Sequence, residues 1–224
     1  MAIILNIDTS VETASVCLAK DGEMLRLLMN ENKKDHASWL HVAILKMFQE
    51  TGYTMPDVQA VAVSIGPGSF TGLRIGLSTA KGLCYAQHIP LITIGTLEMM
   101  AFAARDEAVD LLCPLIDARR MEVFTAVYDK TLLQIIPPAA IIIDEKSFAA
   151  LLSSNKILFL GDGRKKLQSI ITNNNASFSN ASGNASHLVP LSHKRFRNNE
   201  FADLAYIEPL YLKEFYSPAH KLLP

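Results

Sequence analysis

The sequence predicts an α/β protein of two lobes, each a mixed sheet flanked by helices. Three observations predict it. Short apolar runs alternate with segments of helical period. The order strand, strand, strand, helix, strand, helix, strand, helix fills roughly the first hundred residues. The pattern then restarts at residue 110, which divides the 224 residues into an N-terminal lobe, 1–103, and a C-terminal lobe, 104–224. The length suits one generous core or two of about 100 residues each.

The elements follow in order. Residues 2–8, AIILNID, are a short isoleucine-rich run that reads as a central strand. Residues 13–22 alternate and end in Asp21-Gly22, a hairpin signal, so 23–32 reads as the returning strand. Residues 36–52 carry an apolar stripe, Leu40, Ala43, Ile44, Met47 and Phe48, with Gly52 as the stop of a helix. The run 55–66 is almost wholly apolar, as in a strand covered on both faces. A helix over 71–89, a strand over 90–96 and a helix over 96–106 follow.

In the second half LLCPLID, EVFTAVYD and LLQIIPP read as strands, 144–155 as a helix and 157–164 as a strand. Residues 173–187, NNNASFSNASGNASH, are nearly devoid of apolar groups and read as a surface loop. HLVPLS reads as a strand. Residues 199–215 read as a short helix broken by Pro209, with an aromatic tail.

Composition excludes several classes. With 21 Lys and Arg against 22 Asp and Glu, the chain has no net field for nucleic acid. The basic stretches 161–168 and 192–200 read as solvated surface. Cys17, Cys84 and Cys113 are few and far apart, which suggests buried reduced thiols and a cytoplasmic location. The N-terminus lacks the basic region of a signal peptide, and no 18-residue apolar window suggests a membrane span. The Asn-x-Ser sequons in 173–187 matter only on a secretory route.

The stretch SIGPGSFTGLRIG, 64–76, poses the functional question. Its glycines and the helix start after them could cradle an anion. Yet neither the Walker spacing nor G-x-G-x-x-G fits. The other reading is close packing. Gly72, Gly76, Ala80 and Leu83 or Cys84 fall on one face at helical steps, and each helical glycine, Gly72, Gly76 and Gly82, costs about 1 kcal/mol against alanine. The close neighbour could be the sheet beneath or another protein. Arg74 in the first turn opposes the helix dipole. A carboxylate from Asp8, Glu12 or a partner could offset that, or the guanidinium could be solvated.

No self-contained active site emerges. Asp8, Thr9 and Ser10 end the first strand, and Asp117 holds the matching place in the second lobe. The two carboxylates could face one interlobe cleft, or serve only as turn formers. His36 and His41 are too far apart around a helix to share a metal, and the remaining histidines do not cluster, so no metal site is expected. Ser69 suits a helix cap better than a nucleophile, and no G-x-S-x-G occurs.

ILNIDTSVETASVCLAKDG, DHASWLHVAI and AVSIGPGSFTGLRIGLSTAKGL resemble the TsaB (YeaZ) family, supported by LIDARRMEVFTAVYD and EPLYLKE. The resemblance implies the actin-like, Hsp70-like ATPase fold (ASKHA, ribonuclease H-like). It implies an accessory, non-catalytic role in threonylcarbamoyladenosine (t6A) modification of adenosine 37 of tRNA, with no cofactor needed by this subunit. ATP with magnesium and threonylcarbamoyl-AMP belong to the complex. The implied partners are TsaD, the homologous transferase subunit, and TsaE, a small ATPase, with tRNA met by the complex and a homodimer in isolation.

TsaD carries a His-x-x-x-His metal motif; here His36 matches the first position and Leu40 occupies the second. The resemblance places the partner interface on helices 36–51 and 71–87, through His36, Leu40, Ile44, Gly72, Leu73, Gly76, Ala80 and Leu83. The signature loop is Gly66, Pro67, Gly68, Ser69, Phe70, Thr71 and Arg74. Asp8, Thr9, Ser10 and Asp117 would form a vestigial nucleotide cleft. The alternative is a stand-alone ATP-dependent phosphotransferase of the same fold; a protease lacks its nucleophile and base.

Overall fold

The computed structural model describes residues 1–30, 35–107 and 109–213. Two five-stranded sheets dominate it. The first has the order β3-β2-β1-β4-β5, from β1 (Ile3–Asp8), β2 (Ser15–Lys20), β3 (Glu23–Met29), β4 (Ala60–Ser64) and β5 (Leu91–Ile94). The second has β6 (Leu111–Asp117), β7 (Glu122–Asp129), β8 (Gln134–Ile142), β9 (Ile157–Leu160) and β10 (Ala176–Phe178) in the order β10-β9-β6-β7-β8. Read from the other edge, the second order repeats the first. In both, three antiparallel strands are extended by two parallel ones. The two-lobed mixed-sheet fold expected from the sequence is the one found.

Helices α1 (His36–Thr51) and α2 (Phe70–Gln87) cover one face of the first sheet. The period of β1 decides what they meet: Ile3, Leu5 and Ile7 point to them, while Ile4 points the other way. The opposite face packs on α3 (Thr96–Ala103) and α6 (Ala185–Arg197). These two helices join it to Leu112, Ile116, Tyr128 and Leu160 of the second sheet in one core. The short α4 (Ala149–Leu152) and α5 (Arg164–Gln168) contribute Leu152 and Leu167 to the far face of the second sheet. The result is five layers in which the middle helical layer belongs to both sheets.

Several sequence expectations are corrected. HLVPLS is not a strand but lies within α6, whose Ala185, Leu188, Val189 and Ser192 are buried at helical spacing. Its Pro190 faces outward. The stretch 173–187 is ordered by β10, which pairs in parallel with β9, and by the Asn184 cap of α6. Residues 199–213 form no helix; Ala202 instead bridges to Leu91 at the edge of β5. Only Ala149–Leu152 of the helix expected at 144–155 is helical, because Asp144 folds the start into a turn through Lys146 and Ser147.

The lobe boundary is not linear in sequence either. Helix α6 follows the second sheet but lies across β1, β2, β3, β4 and β5. Polar pins fix it there: Ser192 Oγ donates to Asn6 Oδ1 at 2.7 Å, and the Ala185 amide to Ser15 Oγ at 2.9 Å. Arg195 adds bonds from Nη2 to both Glu98 carboxylate oxygens and from Nη1 to the Thr93 carbonyl. Residues 31 and 32 of the expected third strand, and the tail from 214 onward, lie outside the described residues.

Candidate functional site

The signature loop turns out to be a clamp on the chain's own backbone. It runs from the end of β4 through a cis Gly66-Pro67 bond to Ser69, whose Oγ accepts the Gly72 amide and starts α2. The turn after β1 lies directly against it. The Ser69 amide donates to the Ser10 carbonyl at 2.7 Å, and Thr9 Oγ1 donates to the Gly72 carbonyl at 2.7 Å. A β-carbon at Gly68 would stand 2.2 Å from the Ser10 carbonyl oxygen. One at Gly72 would stand 2.0 Å from that of Thr9, and one at Gly76 would stand 2.2 Å from Thr9 Oγ1. Such contacts leave no room for any side chain, so three glycines are accounted for by self-packing.

This corrects the expected interface. Gly72 and Gly76 face Thr9, not a second protein. Leu73 and Ala80 of α2, with Leu40 and Ile44 of α1, are buried within the chain. His36 and Leu83 are half-buried. What the two helices offer to solvent is a different face. On it Val42 is 65 %, Leu45 60 % and Tyr85 76 % exposed. Gly82 has nothing within 4 Å of where its β-carbon would be among the described residues, so no described contact asks for glycine there.

Arg74 is exposed, and neither Asp8 nor Glu12 supplies its described contacts. Its guanidinium lies 3.9 Å above the Phe70 ring, and its Nε donates to the Tyr211 hydroxyl at 3.0 Å. Stacking on aromatic faces is what the planar guanidinium does well. Thr71 is exposed beside it, and Pro67 is buried.

Between the sheets lies a cavity of about 950 Å³, lined by Ser10, Glu12, His36 and Phe70 on one side and by Asp117 and Arg119 on the other. Asp117 accepts from Lys166 Nζ at 2.6 Å and from the Arg119 amide at 2.6 Å. Partial burial works to raise its pKa, but those bonds and charges outweigh it and hold the carboxyl below the usual value.

Asp8 does not join Asp117 at this cavity. It is fully buried, and its Oδ1 accepts from the Ser10 amide, Ser10 Oγ and Ser64 Oγ at 3.0, 2.6 and 2.5 Å. Burial pushes its pKa up, against the pull of those hydrogen bonds. A magnesium-bound triphosphate needs an accessible ionised carboxylate and a turn whose amides are free. Here the carboxylate is enclosed, its Oδ1 taken by Ser10 and Ser64 and its Oδ2 without a described partner, so Asp8 does not present an accessible carboxylate to that ligand.

The family described as "TsaD: tRNA N6-adenosine threonylcarbamoyltransferase" matches residues 30–216. The "tRNA threonylcarbamoyladenosine biosynthesis protein TsaB" of Bacillus subtilis is 30 % identical over 161 residues, 70 % of each chain. The chain belongs to the TsaB (YeaZ) family. The Escherichia coli protein of the same name is 35 % identical over 57 % of this chain, which spans 55 % of that relative. The structure "YeaZ from Pseudomonas aeruginosa" superposes with a TM-score of 0.81 at 24 % identity, covering 95 % of this chain and all of that one. The architecture is therefore the actin-like, two-lobed fold that TsaB membership implied.

Within the TsaB frame, Leu40 stands where the resemblance to TsaD would put a second metal-binding histidine. Its side chain is buried in the core beneath α1 and the first sheet, while His36 lies at the cavity. Among the described residues no group of three or more His, Cys, Asp or Glu is placed to hold a metal ion. No described helix is long and apolar enough to cross a membrane. Sequence reasoning gave no role to Val42, Leu45 and Tyr85. The available signal was the apolar residues of α1 that fall outside its 40-43-44-47 stripe.

Proposed function

We propose that this chain is a non-catalytic accessory subunit in t6A modification of tRNA, which pairs with the transferase subunit TsaD and activates it. One observation carries the reading: the outward face of α1 and α2. The inner faces of these helices pack on the first sheet, yet Val42 and Leu45 of α1 and Tyr85 of α2 remain exposed, and Gly82 of α2 has no described atom within 4 Å of a β-carbon there. Aromatic and aliphatic anchors around a site of close backbone approach are what a stable protein interface uses. The names of the relatives supply the process, and the match to a TsaD description suggests a partner of the same fold. The same face would serve a homodimer when the partner is absent, since an isologous contact reuses one patch. TsaE, tRNA and threonylcarbamoyl-AMP would be met by the assembled complex.

A reconstitution tests this. TsaD with TsaE, ATP and threonylcarbamoyl-AMP should modify tRNA far faster with this chain present, and this chain without TsaD should modify none. Equal rates with and without the chain would refute the accessory role.

A further inference from the structure

Residues 202–213 run as a strap from the first sheet to the second. Ala202 bridges to Leu91, and Lys81 Nζ then holds the carbonyls of Ala205 and Ile207 at 3.4 and 3.3 Å. The Leu210 amide donates to the Ile65 carbonyl at 2.7 Å. The Leu210 carbonyl oxygen would lie only 2.8 Å from a β-carbon at Gly66, whose φ is +115°. The remaining glycine of the stretch 64–76 is thus where the strap presses on it. Tyr211 follows, its ring 5.1 Å from that of Phe70 and its hydroxyl bonded by Arg74. Lys213 then pairs with Glu122 of β7.

Both fastenings of this path connect to residues that line the cavity. Phe70 lines it from the first sheet. On the other side Lys166 Nζ bonds Asp117, which lines the cavity, and also the Glu122 carbonyl at 2.9 Å. The shared core through α3 and α6 can act as a fulcrum, and the strap is a second, separate tie between the walls. Its contacts are of a reversible kind. Lys213 is 42 % exposed and Tyr211 39 %, so water and salt compete for both.

We propose that the strap is a latch that sets the width of the cavity between the sheets, fastened by Tyr211 on α2 and by the Lys213–Glu122 pair on β7. Release of either fastening lets the sheets swing apart about their common core. Because Arg74 and Phe70 belong to α2, whatever moves that helix also moves the latch.

The test measures the distance between the lobes. All three described native cysteines are buried, so spin labels attach selectively at Thr71→Cys on α2 and Lys165→Cys on α5, both exposed positions. Pulsed dipolar spectroscopy of the full chain should give a narrow distance distribution. Tyr211→Ala and Lys213→Glu should each broaden it and shift it to longer distance, while Lys213→Arg keeps the parental curve. Both truncated side chains lie outside the core, and unchanged circular dichroism will show the fold intact. A parental distribution in either folded variant, Tyr211→Ala or Lys213→Glu, would overturn the latch.

Discussion

Thr9 and Gly76 are packed so closely that a β-carbon on the glycine would stand 2.2 Å from the threonine hydroxyl. That hydroxyl is not free to leave, because it donates to the Gly72 carbonyl at 2.7 Å. One turn and a half further along the same helix, Gly82 meets no described residue within 4 Å. Identical substitutions in one helix should then have opposite signs. Gly76→Ala forces the turn after β1 off α2 and should destabilise by about 1–3 kcal/mol. Gly82→Ala removes a helix-interior glycine at no steric cost and should stabilise the isolated chain by up to about 1 kcal/mol. Urea denaturation of both variants measures this; equal shifts would contradict the packing described.

Asp8 makes the stability depend on pH in a direction that can be worked out. Burial raises its pKa above the ordinary 3.8, and the Ser10 and Ser64 bonds offset only part of that rise. The folded state therefore holds the proton more tightly than the unfolded state. The stabilisation is fully present below the unfolded value and is lost as pH rises through the folded one. Asp8→Asn keeps an acceptor for Ser10 and Ser64 but has no proton to lose. Relative to the native chain it should gain stability as pH climbs from the ordinary carboxylate range towards neutrality. Denaturation curves at several pH values would show this, and a pH-independent difference would contradict it.

Glu98 should be a stability residue although it sits on a short helix. It accepts from Arg195 Nη2 through both oxygens, at 2.9 and 2.6 Å, and each partner is only 24 % exposed. Loss of a hydrogen bond to a half-buried charge typically costs about 1.5–3 kcal/mol. Glu98→Ala should fall in that range, measured as a lower urea midpoint. Hydrogen exchange should rise in α6 and β5 before it rises in β7. An unchanged midpoint would show that α6 is held by its apolar face alone.

The three thiols should be inert in the native state. Burial pushes Cys17 and Cys113 up to about 12 and Cys84 up to about 11, so little thiolate exists near neutral pH. A thiol-reactive dye should label none of them until denaturant is added, and rapid native labelling would contradict their placement.

The sequence disclosed most of the first lobe because its periods are clean. The stripe 40-43-44-47 of α1 and the isoleucines of β1 both behave as their spacing dictates. For the glycines of α2 the sequence leaves the sheet beneath and a second protein both open as the close neighbour, because helical period gives a face but not what covers it. Only the turn after β1, more than sixty residues away in sequence, decides that Gly72 and Gly76 point inward. Helix α6 was hidden by Pro190, whose outward position spares the buried face. Its Asn184 cap and its 185-188-189-192 stripe were legible, but the polar run before it drowned them. The cavity pairing of Asp8 with Asp117 failed on depth: Asp8 ends β1 on the face turned toward the second sheet, but it is fully buried there and its Oδ1 is held by Ser10 and Ser64.

The measurement that bears most directly on the proposed role is the affinity for TsaD, taken by titration calorimetry with the native chain, Gly82→Leu and Leu45→Glu. Both changes lie on the outward face of α1 and α2 and touch no core contact. If that face is the docking surface, the native chain binds and each variant, still folded, loses about tenfold or more. Native affinity in both variants would place the partner elsewhere and contradict the account.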